Sequence, residues 1–230
     1  MSSRIGTTTS ALPRGPHSLT REEVAASQRA RLIRALTELL AEGGYSAVTI
    51  GELAKRASVS RGAFYEQFSS KEECLLAAYD EFAAGLLEEM TTGVADDSTW
   101  EEFISKTLDG YLGTLQRDPV AARAFIVEMD AGGELARERR RQAVHGFAAL
   151  LAHRHRSIQA LDPGIGDLPE SVYLGLAFGV RELVHERLSQ EPEPRLADLR
   201  PDVILWINAM VEGAAAAQAR AARATSFSSS

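Results

Sequence analysis

The chain has 230 residues, 45% hydrophobic and 25% charged, a balance that excludes a disordered tail or a coiled coil and allows one sizeable core or two small ones. Its net charge of −7 is unevenly spread: residues 1–68 carry nine Lys and Arg against six Asp and Glu, and the remainder 16 against 26, so a mildly basic head precedes an acidic body. The lone cysteine, Cys74, excludes an internal disulfide framework. With no run of about 18 apolar residues and no signal-type apolar core, the sequence predicts a cytoplasmic protein with no membrane partner.

Residues 1–18, rich in Ser, Thr, Gly and Pro, lack hydrophobic periodicity and are expected to form a flexible arm. Arg4, Arg14 and His17 are its candidates for phosphate or minor-groove contact, the alternative being an untethered terminus. Thr20-Arg21-Glu22-Glu23 fits a capping box, in which hydroxyl and carboxylate each satisfy an orphan amide, so a helix should start there. Leu32, Ile33, Leu36, Leu39 and Leu40 then share a face until Gly43-Gly44 ends the pattern. A second box, Thr49-x-x-Glu52, opens a short helix with Ile50, Leu53, Ala54 and Ala57 at amphipathic spacing. After the interruption Ala57-Ser58-Val59-Ser60, Ser60 caps a third helix. Its wheel puts Ala63, Phe64, Gln67 and Phe68 on one arc and Arg61, Gly62, Tyr65 and Glu66 on the other.

The remainder also reads as helices. Ser69-x-x-Glu72 is expected to start one that carries Leu75, Leu76, Tyr79, Phe82, Leu86 and Leu87 to about Thr91, and Ser98-x-x-Glu101 another that stops at Asp118-Pro119. Pro119 suits the first turn of a helix to about Ala131, and Gly132-Gly133 breaks before a long helix through His153. A loop over 161–168 precedes two apolar helices, about Pro169–Ser189 and Ala197–Ala222, separated by Glu191-Pro192-Glu193-Pro194. No β alternation is long enough for a sheet. The expectation is an all-α protein of about nine helices: an arm over 1–18, a three-helix head over 19–68, a helical effector-binding and dimerisation body over 69–223, and a disordered tail over 224–230.

Helices two and three are spaced as a helix-turn-helix whose second member enters a DNA groove. Gly62 permits close approach, Arg61 and Tyr65 reach for contact, and Phe64 and Phe68 anchor the helix. The planar Arg61 fork suits paired hydrogen bonds to guanine, a contact worth roughly 1 to 3 kcal/mol of discrimination; the plainer alternative is a surface ion pair. Thr49 sits at a helix N-terminus that favours a backbone phosphate. Lys71, in the first turn of the next helix, opposes the helix dipole, which makes sense beside a phosphate, although an exposed lysine needs no such reason.

Gly44-Tyr45, Val48-Thr49-Ile50, Leu53-Ala54, Ala57-Ser58-Val59-Ser60, Gly62, Phe64-Tyr65, Phe68 and Lys71 together resemble the N-terminal domain of TetR-family transcriptional regulators, over about residues 27–75. That resemblance implies a DNA-binding head on a diverse helical body that binds a small ligand and dimerises. It implies DNA contacts at Thr49, Ser60, Arg61, Gly62, Tyr65 and Lys71. Two positions depart from the family's habit: Ser58 stands where glycine is frequent, so serine must make the turn without glycine's freedom, and Gln67 stands where histidine is frequent, though it can still donate to a phosphate.

The resemblance also implies that the last two long helices pack against a second copy. Tyr173, Leu174, Leu176, Ala177, Val180, Leu183 and Val184 on one, and Ile204, Leu205, Ile207, Met210, Val211 and the run from Ala214 to Ala217 on the other, are broad enough to bury two faces; the alternative is a monomeric core. A small apolar or amphipathic effector is sought among Phe103, Tyr111, Phe125, Met129, Phe147, Tyr173, Phe178 and Trp206, with His145, Arg181 and Asn208 as polar anchors. Each is also a plain core candidate, and only a cavity separates the readings. His153 and His155 face different sides of a helix, a lone Glu182/His185 pair is a weak metal signal, and Cys74 has little beside it to activate a thiolate. No metal or cofactor is expected. The leading expectation is a ligand-responsive repressor that binds a pseudo-palindromic site on double-stranded DNA as a homodimer. A helical-bundle enzyme and a protein-interaction module are the alternatives; no phosphate loop or nucleophile–base set supports the first.

Overall fold

A computed structural model describes residues 20–161, 166–191 and 193–227, so the expected arm and the last residues of the expected tail lie outside the described residues. Among those described, every regular element is helical: α1 (Arg21–Ala47), α2 (Ile50–Arg56), α3 (Arg61–Gln67), α4 (Lys71–Thr91), α5 (Trp100–Arg117), α6 (Pro119–Ala122), α7 (Glu134–Leu161), α8 (Glu170–Gln190) and α9 (Arg200–Phe227). No helix among them is long and apolar enough to cross a membrane.

Local chemistry sets the boundaries. Thr20 and Glu23 form the reciprocal capping box at α1, and α1 breaks near its end where Gly44 takes φ 70°, ψ 171°, a conformation open to glycine. Two expected caps shift by one residue. Ser70, not Ser69, accepts the Glu73 amide at α4, and Thr99, not Ser98, forms the box with Glu102 at α5. Ser69 is held instead by its amide and hydroxyl donating to the Glu73 carboxylate. The helix expected from Pro119 to Ala131 is composite: after α6 the chain widens into a π turn over Arg123–Val127 and tightens into a 3₁₀ turn over Met129–Gly132. The wide turn buries Ala124, Phe125 and Ile126 in succession, which a regular helix at 100° per residue does not readily do. Helix α7 extends past His153 to Leu161, and α9 begins at Arg200, behind a 3₁₀ turn, and continues to Phe227.

Two apolar clusters organise these helices. The head cluster gathers Leu32, Leu36 and Leu40 of α1, Leu53 of α2 and Phe64 and Phe68 around α3, all at most 1% exposed. It also takes in Cys74, Leu75 and Ala78 of α4 and Phe125 and Met129 from beyond it. Each large side chain so buried contributes roughly 1.5 to 3 kcal/mol. The body cluster joins α5, α7, α8 and α9 through residues such as Leu108, Leu112, Leu151, Leu176, Val184 and Ile207. Phe82 of α4 packs against both clusters. One helix therefore belongs to two cores.

Candidate nucleic-acid interface and cavity

The turn between α2 and α3 is built at Ser58, which takes φ 54°, the left-handed conformation that glycine would adopt without strain. Its amide donates to Lys55 O at 3.2 Å and the Val59 amide to Ala54 O at 2.9 Å. Arg31 reaches from α1 and donates to Ala57 O at 3.1 Å and Ser58 O at 3.3 Å, closing the turn from outside.

Beyond the turn, α3 separates as its wheel predicts. Phe64 and Phe68 are buried, whereas Arg61, Gly62 and Glu66 are exposed and Tyr65 is 58% exposed, its ring edge-on to Phe64. Thr49 and Ser60 cap α2 and α3, their hydroxyls accepting the Glu52 amide at 3.2 Å and the Ala63 amide at 3.0 Å. A hydroxyl that accepts in this way still has its own hydrogen to donate, so both caps can bind an anion. Gln67 is half-buried at the edge of the inner arc.

Four of the head's cations are held within it. Arg29 lies over the Phe68 ring at 4.5 Å, Arg31 holds the turn, and Arg56 bridges Glu38 at 3.1 Å and Glu42 at 2.9 Å. Lys71, expected at phosphate, donates to Tyr45 O at 3.2 Å and Val48 O at 2.9 Å and sits 3.9 Å from the Tyr45 ring centre. It caps the broken end of α1, leaving one ammonium hydrogen uncommitted. Tyr45 completes this clasp by donating to Glu72 at 2.8 Å. That bond holds the Glu72 carboxyl below the usual range, while burial, then Glu72, pushes the Tyr45 phenol up. Arg61 has no ion pair or hydrogen bond among the described residues. Its guanidinium lies over Gly51, where an added Cβ would come within 2.8 Å of it.

Gly62 differs from Gly51. A Cβ built there meets nothing closer than the Ser60 hydroxyl at 3.6 Å, and its backbone is helical. Glycine inside a helix costs about 1 kcal/mol relative to alanine, and nothing among the described residues requires it.

In the body, an apolar cavity of about 380 Å³ lies among α4, α5, α7 and α8, within the usual range for small-molecule sites. Of the expected effector residues, it brings together Tyr111, Phe147 and Arg181. The others lie elsewhere. Phe125 stands one layer behind, 4.9 Å from Phe82; Met129 is fully buried in the head cluster; Phe103 packs under Trp100 at 5.7 Å. The Tyr173 hydroxyl meets His155 Nδ1 at 3.0 Å, His145 and Phe178 contact each other at 5.9 Å, and Trp206 covers Gly179. Asn208 lines a separate polar groove with Glu101, Glu102, Lys106 and Arg200.

Periodicity missed the α4 wall: Tyr79, Phe82, Leu86, Leu87 and Met90 all line the cavity. Their spacing is the same whether a helix faces solid core or a hole. Among the described residues, Arg181 is the one charged group lining this cavity; it is 8% exposed and donates to Ile126 O at 2.8 Å and to Glu182 at 3.4 Å. Burial pushes the Tyr79 phenol and the Cys74 thiol each up to about 12, so Cys74 is not an activated thiolate.

Residues 32–78 match the profile of "Bacterial regulatory proteins, tetR family". The chain is 24% identical over 121 residues to the fatty acid metabolism regulator protein of Bacillus subtilis, covering 53% of this chain and 62% of that one. It is 27% identical over 142 residues to the transcriptional activator FasR of Mycolicibacterium smegmatis, covering 57% and 65%. In both cases the match spans less than two thirds of the relative's length. Among solved structures, the regulator FadR from Bacillus subtilis in complex with stearoyl-CoA superimposes with a TM-score of 0.69 at 22% identity, covering 80% of this chain and 98% of that one. The relatives are regulators rather than enzymes, and the structural likeness is one of fold.

Proposed function

From the premise that this chain belongs to the tetR family of bacterial regulatory proteins through its head at residues 32–78, we propose that it is a ligand-responsive transcriptional regulator, acting in the cytoplasm as a homodimeric repressor. One observation carries this reading. Helix α4 supplies Cys74, Leu75 and Ala78 to the head core and Leu86, Leu87 and Met90 to the cavity wall. A molecule in the cavity and a duplex under α3 thus bias the same rigid element, which is what coupling between two sites requires. The junction from Phe68 to Lys71 is tied by the Ser69–Glu73 bonds and has little slack to absorb a shift.

At the DNA, Arg61 reads a base edge, Tyr65, Gln67 and the Thr49 and Ser60 hydroxyls hold phosphates, Lys71 adds its remaining hydrogen, and Gly62 lets the backbone approach. The dimer forms through α8 and α9, where Leu183 is 44% and Leu205 71% exposed. Two heads then meet half-sites about one helical turn apart, roughly 34 to 36 Å. The effector has a long apolar part and a neutral or anionic polar part, because among the described residues Arg181 is the cavity's sole charge and no carboxylate lines it to favour a cation. The stearoyl-CoA in the FadR structure supports a fatty acyl compound as that class.

Selection from a pool of random duplexes should yield a pseudo-palindrome. On that duplex Arg61→Ala should weaken binding by roughly 1 to 3 kcal/mol per head and relax one base position, read by fluorescence anisotropy at fixed salt. A fatty acyl compound should release the wild-type protein. Full specific binding by Arg61→Ala, or equal affinity of the compound for free and DNA-bound protein, refutes the reading.

A further inference from the structure

Arg181, on the cavity wall, makes fewer bonds than its guanidinium can. Of the five N–H donors of such a group, one goes to Ile126 O at 2.8 Å and one, at 3.4 Å, to Glu182, whose side chain is 67% exposed. The other three have no partner among the described residues. A carbonyl needs no charge opposite it, and an ion pair with so exposed a carboxylate is worth little. The guanidinium is therefore buried without a buried counter-charge, a costly arrangement unless a further acceptor joins it. The cavity beside it is where that acceptor can stand.

The carbonyl that Arg181 holds belongs to the wide turn over Arg123–Val127, a geometry frequent at working sites. Successive residues of this turn serve different cores: Ala124 and Phe125 lie in the head cluster, while Ile126 lies in the body cluster and on the cavity wall. Phe125 packs 4.9 Å from Phe82 and 6.1 Å from Tyr79 of α4. Just beyond the turn, the Glu128 carboxylate faces the break in α1, where a Cβ on Gly44 would stand 3.0 Å from it. At the near end, Arg123 donates to Leu188 O of α8 at 3.4 Å. Besides α4, the turn is thus a second connection between body and head.

We infer that Arg181 is a two-sided clamp: its free donors take the acyl oxygen of the effector while its Nη2 holds Ile126 O, so that the ligand's polar end fixes the wide turn and, through Phe125, acts on the head. This rests on the proposed effector cavity. The guanidinium is planar and rigid, so partners on two of its edges are held in a set relation to one another. A lysine in its place keeps the charge, but as a compact donor on a flexible stem it does not hold two partners in register. Holding the ligand and transmitting its presence are therefore separable at this position.

Decanoate and its methyl ester, which offer the acyl oxygen with and without a charge, test this. Binding is read by isothermal titration calorimetry, the turn by hydrogen exchange at Phe125, Ile126 and Val127 in DNA-free protein, and release by anisotropy on the selected duplex. In the wild type, saturating decanoate should slow exchange in the turn, and decanoate should favour free over DNA-bound protein, each by about fivefold or more. Arg181→Lys should bind decanoate about three- to tenfold more weakly and, once saturated, show neither effect. Arg181→Met should bind it more weakly still, by more than about tenfold. A response to both compounds assigns the carbonyl as the group taken, and a response to decanoate alone assigns the carboxylate. The clamp is overturned if saturated Arg181→Lys slows the turn as the wild type does, if Arg181→Met binds decanoate undiminished, or if neither compound binds. Release of DNA with an unchanged turn overturns the clamp and leaves the regulator standing. Slowed exchange in the turn without release removes the ligand-responsive regulator and leaves the clamp.

Discussion

In the head, polar side chains are committed to the frame: Arg31 closes the α2–α3 turn, Arg56 bridges two glutamates, and Lys71 and Tyr45 clasp the end of α1 to the start of α4. In the body, Arg181 is buried on the lining of a cavity of about 380 Å³ whose other walls are mostly apolar. The head presents its working groups on the outside of a solid core, and the body holds its own inside a hollow one. The difference fits the two tasks. Reading a duplex needs a rigid surface, while taking in a small molecule needs enclosed space.

Deletions of aromatic rings probe that contrast most strongly. Phe64→Ala, at a fully buried position, should cost about 3 to 5 kcal/mol in chemical denaturation. Phe147→Ala, on the wall of an existing cavity, should cost under about 2 kcal/mol because less packing is lost. Equal losses would show that the body is as tightly packed as the head.

Lys71→Met sharpens the reading of the clasp. It keeps an apolar stem against Tyr45 while removing both carbonyl bonds, and should destabilise the protein by about 1.5 kcal/mol. Because its remaining hydrogen is assigned to a phosphate, the salt slope of DNA binding should also fall, by up to about one unit per head. An unchanged slope would leave the clasp as the whole of its work.

Gly62→Ala should raise stability by about 0.5 to 1 kcal/mol, since the space is free, and weaken DNA binding at the same time. A variant both more stable and as tight on DNA would leave the glycine unexplained.

The smallest effect concerns His155, 1% exposed between Trp100 and Tyr173. Burial lowers its pKa against a weaker opposing pull from Asp167, so on acidification the unfolded chain takes up the proton first. The stability present above about pH 6.5 is therefore lost as pH falls through that value toward the folded one. Melting temperatures measured across this interval should decline with acid in the wild type and less steeply in His155→Gln.

The helices and the faces of α3 were legible because periodicity is local information. The off-by-one caps have a local cause as well. Ser69-Ser70-Lys71-Glu72-Glu73 and Ser98-Thr99-Trp100-Glu101-Glu102 each contain two overlapping capping boxes, and the sequence does not rank them. Lys71 was legible as a misplaced cation, but its carbonyl partners are brought to it by the break at Gly44, which folds residues distant in sequence together. Of the cavity, only Tyr111, Phe147 and Arg181 were anticipated. An apolar stripe such as Tyr79, Phe82, Leu86 and Met90 reports that a face is covered, not whether the covering leaves a gap.

Helix α4 has a thermal consequence. Because its first half roofs one apolar cluster and its second half walls the cavity, melting either half strips the other of a neighbour, so head and body should unfold in one transition. A bound effector raises that single midpoint, by the equivalent of about 2.7 kcal/mol at a hundredfold excess over its Kd, and the protection extends to head amides that the effector never touches. Hydrogen exchange slowed as far away as Leu36 and Leu53 would then report occupancy of a hole in the other half of the molecule.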